Sequence, residues 1–205
     1  KVGGDFMSKF ADLKTISLSN GETLTYREEG IGEETLLLIH GNMSSSKHWD
    51  ILVEKLKDKY KIIAVDMRGF GGSSYNNSIN SLNDFAKDIE EVLSILNIEK
   101  CSVIGWSTGG GVALELAANI QEKIEKVILL ESVGIKGYPI PKKDENGHPT
   151  YELLKTKEEI AEDPIQVKPV LYALSTKNKE FYRALWNVAI YTHNKPEDSL
   201  YEEYL

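Results

Sequence analysis

Residues 101–111, CSVIGWSTGGG, decide the fold. A short apolar run is followed at once by glycines and then by a helical pattern, so the stretch predicts a buried strand, a tight turn and a helix. Ser107 lies in the turn, with Gly105 and Gly109 two residues away on either side. In this context G-x-S-x-G indicates a nucleophile elbow, because a sharp turn around an exposed serine needs small neighbours. The alternative is a glycine-rich turn whose serine has no chemical role.

Other continuous apolar runs flank this stretch, at residues 35–40, 61–65 and 127–130. Runs of this kind predict strands that are buried on both faces, as in a parallel sheet. Residues 14–29 alternate around Asn20 and Gly21, which predicts a hairpin.

Apolar residues at helical spacing predict helices over residues 49–56, 82–96 and 108–119, with Ser81 and Asp84 as a capping pair for the second. Strands and helices therefore alternate along the chain. This order predicts an α/β fold with a mostly parallel sheet flanked by helices, and Ser107 at the carboxyl ends of the strands.

The pattern changes after Ser132, which suggests three segments. We expect residues 1–6, before Met7, to be an expression remnant or a disordered start, and residues 7–132 to form the α/β core. Residues 134–150 are rich in glycine and proline and predict a loop. Residues 151–205 predict helices interrupted by prolines, with no further strand.

The composition of the chain excludes several kinds of site and partner. The chain has 205 residues, a net charge of −8 and a single cysteine. One cysteine excludes an internal disulfide and a multi-cysteine zinc site. The acidic balance argues against nucleic acid, whose phosphates need clustered Lys and Arg. The sequence contains no apolar stretch of about 18 residues, the length that would predict a membrane span. We therefore expect a cytoplasmic protein whose partner is a small molecule, and the oligomeric state stays open.

The second motif, residues 40–46 (HGNMSSS), begins with His40 at the end of the first long apolar run. Acyl transfer generates an oxyanion that needs preorganised N–H donors. The backbone N–H of Thr108 supplies one donor, and we expect Asn42 to supply the other, with Met43 as the neighbouring alternative. His40 is expected to shape the loop rather than to act as a base.

The third motif, residues 66–74 (DMRGFGGSS), follows the next strand. We expect Asp66 and Arg68 to pair and to brace this loop, whose glycines allow unusual backbone angles. A phosphate-binding role is disfavoured because the motif lacks the Walker lysine.

Together, HGN, DMRGFGGSS and GWSTGG resemble the α/β-hydrolase family, in particular its serine esterases and lipases. The resemblance covers residues 14–132 closely, and residues 133–205 resemble the helical cap (lid) insertion. It implies that Ser107 attacks an ester-like carbonyl, that Asn42 and Thr108 hold the oxyanion, and that no metal or organic cofactor takes part. Trp106 is expected either to contact substrate or to pack in the core.

The same resemblance limits the reactions that are expected of this chain. The HGN loop is similar to that of haloalkane dehalogenases, but the nucleophile there is an aspartate followed by a tryptophan, where this chain has Ser107 and Thr108. Epoxide hydrolases are disfavoured for the same reason. A small ester, lactone or thioester is the expected substrate. An acyl-homoserine lactonase-like activity and a binding protein without chemistry are the alternatives.

A serine nucleophile needs a histidine base and an orienting acid, which in this family follow the serine in the chain. His148 and His193 follow Ser107, but neither ends a predicted strand. Glu131 ends one and is expected to be structural. We therefore expect the catalytic acid and histidine to be absent from this chain, and residues 133–205 to be an incomplete cap.

Overall fold

The structure is a computed structural model that describes residues 12–205. The chain divides into two compact units, one ending at Gly137 and the other comprising Tyr138–Leu205. The sequence pattern changes a few residues earlier, after Ser132. The interpretation of residues 1–6 lies outside the described residues.

The first unit contains a six-stranded sheet, ordered β1-β2-β4-β3-β5-β6. Its strands are β1 (Lys14–Ser17), β2 (Thr23–Glu29), β3 (Thr35–Ile39), β4 (Lys61–Val65), β5 (Cys101–Trp106) and β6 (Ile124–Leu130). The hairpin β1–β2 joins β4 in antiparallel fashion, and β4, β3, β5 and β6 are parallel to one another. The predicted mostly parallel sheet and the turn at Gly21, with φ +86°, are confirmed.

In the described part of the first unit, three α-helices flank the sheet: α1 (Asp50–Leu56), α2 (Leu82–Ile95) and α3 (Thr108–Asn119). Alternate residues of β3 enter two separate apolar clusters. Leu37 and Ile39 pack with residues of α2 and α3, whereas Leu36 and Leu38 pack with Trp49 and with α1. Successive side chains of a strand point to opposite faces. Helices therefore cover both faces of the sheet, which is why its central strands are continuously apolar.

A buried carboxylate joins the β1–β2 turn to the loop after β4. Glu22 is fully buried and accepts hydrogen bonds from the Ser74 hydroxyl and from the backbone N–H groups of Asn76 and Asn77. Burial alone would raise the pKa of Glu22, but these hydrogen bonds outweigh it and lower the pKa to about 2. The carboxylate therefore stays charged and holds the two loops together.

The second unit contains a hairpin and four helices. Its elements are β7 (Pro141–Lys143), β8 (Pro149–Leu153), α4 (Lys157–Ala161), α5 (Lys168–Ser175), α6 (Lys179–Ala189) and α7 (Asp198–Tyr204). The prediction that no strand follows β6 is wrong, because β7 and β8 pair in antiparallel fashion. β7 lies within the predicted loop, and β8 extends from its end into the segment predicted to be helical. Asp144 stabilises their turn by accepting hydrogen bonds from the N–H groups of Asn146 and His148.

No helix within residues 12–205 is long and apolar enough to cross a membrane.

We expect Glu22→Gln to destabilise the protein at pH 7 by roughly 1.5–3 kcal/mol, because the amide group of glutamine would face hydrogen-bond donors. The folded-state pKa lies below the ordinary value, so the stabilisation from Glu22 is present above about pH 4.5 and is lost as the pH falls towards 2. The free energy of unfolding, measured by urea denaturation, should therefore depend less on pH between 5 and 3 in Glu22→Gln than in the wild-type protein. The exposed Glu33→Gln is the matched control, and equal stability of both variants would contradict the prediction.

Candidate active site

Ser107 occupies a strained turn between β5, which ends at Trp106, and α3, which begins at Thr108. Its backbone has φ 53° and ψ −118°, a region that non-glycine residues rarely adopt. Three hydrogen bonds hold this conformation. The Ser107 N–H donates to the Leu130 carbonyl at 3.0 Å, and the Ser107 carbonyl accepts from Gly110 at 3.0 Å and from Val133 at 3.1 Å. The predicted strand, turn and helix thus have the backbone of a nucleophile elbow, defined here as residues 105–109.

Two glycines let α3 approach the strand ends closely. A Cβ atom at Gly105 would lie 2.3 Å from the Gly109 carbonyl oxygen. A Cβ atom at Gly109 would lie 2.3 Å from the carbonyl oxygen of Ile39 and 2.4 Å from that of His40. Real Cβ atoms do not make such contacts with backbone, so the elbow excludes larger residues at both positions.

The loop after β3, residues 40–46 and named the oxyanion loop for its expected role, runs beside Ser107. A Cβ atom at Gly41 would lie 3.1 Å from the Ser107 Cβ atom, so the backbone just before Asn42 packs against Ser107. Met43 has φ 55°, and its N–H donates to the Asn42 Oδ1 atom at 3.0 Å. That bond occupies the Met43 donor. Of the two N–H groups weighed from the sequence, the geometry favours Asn42.

Thr108 is the first residue of α3, where backbone N–H groups have no partner within the helix. The amino terminus of a helix also carries a partial positive charge of roughly half an elementary charge. Ser107, Thr108 and Trp106 are all partly exposed. A developing negative charge next to Ser107 would therefore meet a favourable dipole and an available donor.

His40 is fully buried and bonded to the backbone through both ring nitrogens. Its Nε2 atom accepts from the Met67 N–H at 3.0 Å, and its Nδ1 atom lies 2.7 Å from the Gly41 carbonyl oxygen. Burial lowers the pKa of His40 to about 4. These contacts leave neither nitrogen for a substrate, which fits a role in shaping the loop.

The remaining histidines make no hydrogen bond to Ser107 within the described part of the chain. His48 is largely buried, and burial lowers its pKa to about 4. His148 lies in the second unit, where its Nδ1 atom is 3.5 Å from Asp144. His193 is exposed and contacts Thr192. Glu131 has φ 43° directly after β6 and is exposed.

Trp106 packs against aromatic side chains on the α1 face of the sheet. Its ring lies 6.5 Å from that of Trp49 in an edge-to-face arrangement and 6.2 Å from that of His48. A Cβ atom at Gly41 would lie 3.4 Å from the Trp106 Cδ2 atom. Trp106 therefore combines a packing role with a position beside the oxyanion loop.

The expected ion pair between Asp66 and Arg68 is wrong. Arg68 binds Asp88 of α2 through its Nε atom at 2.8 Å and also through Nη2. Asp66 instead accepts hydrogen bonds from the Thr25 hydroxyl at 2.6 Å, the Ser46 N–H at 2.6 Å and the Gly72 N–H at 3.1 Å. The carboxylate thus braces the loop as expected, but through neutral donors.

The sequence motifs assign no role to two site-supporting residues, Ser44 within the second motif and Asp88 outside all three. Ser44 is buried and its hydroxyl donates to the Gly41 carbonyl at 2.8 Å. Asp88 is buried on the apolar face of α2. Asp88 is three residues after Phe85 and four before Val92, so the helical spacing of the sequence already places it on the apolar face of α2. A charge on a buried face needs a partner, so this position indicates an ion pair. Residues 12–205 contain no group of three or more His, Cys, Asp or Glu side chains that could hold a metal ion.

Comparison with known proteins gives relatives of several named activities, among them an esterase and an epoxide hydrolase. The chain is 33% identical over 110 residues to a pimeloyl-[acyl-carrier protein] methyl ester esterase of Aliivibrio salmonicida, a match covering 54% of this chain and 40% of that protein. It is 31% identical over 130 residues to a soluble epoxide hydrolase of a Corynebacterium strain, covering 61% of this chain and 45% of the other. The chain spans about a third to a half of the length of the curated relatives it matches.

Among solved structures, a hydrolase from Pseudomonas aeruginosa matches with a TM-score of 0.57 and 28% identity, covering 60% of this chain and 46% of that one. A sequence model of the alpha/beta hydrolase fold matches residues 34–200, which include the oxyanion loop and the elbow. With strand order, elbow and sequence in agreement, the chain belongs to the alpha/beta hydrolase fold family.

Proposed function

We propose that this protein is a serine hydrolase that cleaves a small ester, lactone or thioester through an acyl-enzyme on Ser107. The observation that carries the proposal is the backbone of Ser107, held at φ 53° between the amino terminus of α3 and the Gly41 backbone. Strain of this kind costs about 1–3 kcal/mol and persists where the surrounding structure enforces it. An elbow of this geometry presents a side chain to a ligand at the carboxyl ends of parallel strands.

In the proposed reaction the Ser107 Oγ atom attacks the substrate carbonyl, and the resulting oxyanion accepts hydrogen bonds from the N–H groups of Asn42 and Thr108. Preorganised backbone donors stabilise charge that develops only in the transition state. The dipole of α3 adds to this stabilisation. A general base must take the serine proton and pass it to the alcohol or thiol that leaves when the bond to the acyl carbon breaks. Water then attacks the acyl-enzyme, which releases the carboxylic acid and restores Ser107. We assign the base and its orienting acid to residues outside 12–205.

The residue types at the elbow support an ester-like substrate over an epoxide. An epoxide hydrolase is among the relatives, but by the resemblance described above such enzymes use an aspartate where this chain has Ser107. The esterase relative is consistent with a serine nucleophile. Trp106 is proposed to line the substrate site with its exposed part, next to the oxyanion loop. The proposal includes no metal and no organic cofactor.

We expect Ser107→Ala, made in the whole protein that contains this chain, to lose hydrolysis of p-nitrophenyl butyrate by a factor on the order of 10⁴ or more in kcat. The reason is that no other group forms the acyl-enzyme. Ser94→Ala, an exposed serine of α2, is the control and should keep full activity. Substantial activity in Ser107→Ala would exclude Ser107 as nucleophile. A wild-type protein that binds esters without turnover would support a binding protein.

We expect Gly109→Ala to lower both the melting temperature and kcat, because the new methyl group would collide with the Ile39 and His40 carbonyls. Overpacking of this kind costs typically 1–3 kcal/mol. Relief of the collision requires α3 to move away from β3, which would separate the Thr108 and Asn42 donors. Gly134→Ala is the matched control, since a Cβ atom there meets nothing within 4 Å. Thermal unfolding and ester hydrolysis measure the two effects, and unchanged values would show that the close approach is not needed.

A further inference from the structure

The Gly41 carbonyl oxygen is held by two buried side chains. His40 Nδ1 lies 2.7 Å from this oxygen, and the Ser44 hydroxyl donates to it at 2.8 Å. Ser44 Oγ is also 3.3 Å from His40 Nδ1, so the two side chains converge on one acceptor. Both residues are less than a tenth exposed, so little water competes for these contacts.

The other ring nitrogen settles which atom of His40 carries the proton. Met67 has only a donor to offer at its backbone nitrogen, and it donates to His40 Nε2 at 3.0 Å. Nε2 is therefore an unprotonated acceptor, and in a neutral imidazole the proton then resides on Nδ1. Burial keeps the pKa of His40 at about 4, so the ring is neutral near pH 7. Nδ1–H consequently donates to the Gly41 carbonyl.

Fixing this carbonyl also fixes the direction of the next N–H group. The described chain contains no cis peptide bond, so the C=O of Gly41 and the N–H of Asn42 point in opposite directions in one rigid plane. The carbonyl points to the buried His40 and Ser44. The Asn42 N–H must then point away from both side chains, and Asn42 itself is an exposed residue.

We propose that His40 and Ser44 are positioning residues that pin the Gly41–Asn42 peptide and so preorganise the Asn42 N–H as an oxyanion donor. The inference rests on the proposed function, in which the Asn42 N–H is the second oxyanion donor. It assigns His40 and Ser44 as the residues that hold this donor in place. Neither side chain touches the substrate. Without them the peptide plane could rotate, because glycine at position 41 imposes little restriction on its backbone angles.

The kinetic test uses Ser44→Ala in the whole protein. We expect kcat for p-nitrophenyl butyrate to fall about 10-fold or more with KM little changed, because an oxyanion donor acts in the transition state and removal of a donor itself costs about 10²–10³. Ser44→Thr, which keeps the hydroxyl, should recover much of the loss. Ser94→Ala is the control, because Ser94 is an exposed residue of α2 outside the oxyanion loop.

A second measurement keeps the inference testable if the whole protein cleaves no ester. Nitrogen-15 NMR should show the His40 proton on Nδ1. Relaxation dispersion should show new microsecond-to-millisecond exchange at the Asn42 amide in Ser44→Ala but not in Ser94→Ala. An inactive wild-type protein would reject the proposed function while this measurement still decides the pinning. An Nε2 proton on His40, or an Asn42 amide and kcat unaffected by Ser44→Ala, would overturn the inference.

Discussion

Gly109 lies against the carbonyl of Ile39, the last residue of β3, and that of the following His40. This contact between a helix and a strand end sets the geometry of the candidate site. It brings the amino terminus of α3 next to the oxyanion loop, which follows β3 directly. Gly105 allows the same approach from β5, since a Cβ atom there would meet the Gly109 carbonyl at 2.3 Å. The ends of β3 and β5 thus lead into the oxyanion loop and the amino terminus of α3. These two segments can meet closely because Gly105 and Gly109 have no side chains.

The loop after β4 holds this arrangement from the other side. Asp66 binds the Ser46 N–H, and Met67 binds His40, so both ends of the oxyanion loop are attached to the residues that follow β4. Thr25 of β2 and the buried Glu22 connect that loop in turn to the β1–β2 hairpin. The hairpin, which is far from Ser107 in sequence, therefore contributes to the rigidity of the oxyanion loop through a chain of hydrogen bonds.

Sequence patterns located the strands and the elbow because both depend on local rules: continuous apolar runs for buried parallel strands, and paired glycines around an exposed serine. They failed where the deciding contact is distant in the chain. Arg68 was assigned to the nearby Asp66, yet it binds Asp88, which folding brings from α2. The β7–β8 hairpin was missed because its strands are short and begin with prolines, so glycine and proline dominated the pattern. The link from Ser44 to Gly41 follows from a peptide orientation that no residue pattern encodes.

Backbone and side-chain groups have different roles in the proposed reaction. Both proposed oxyanion donors are N–H groups, and any residue except proline supplies one, so Asn42 and Thr108 matter here for position more than for identity. What distinguishes one reaction from another at this sheet edge is the group presented at position 107. The backbone strain there must be offset by the bonds of the Ser107 peptide to Leu130, Gly110 and Val133, and these bonds involve no side-chain atom. The same framework would therefore hold another nucleophile in the same strained conformation, and the serine makes an ester-like substrate the better match for this chain.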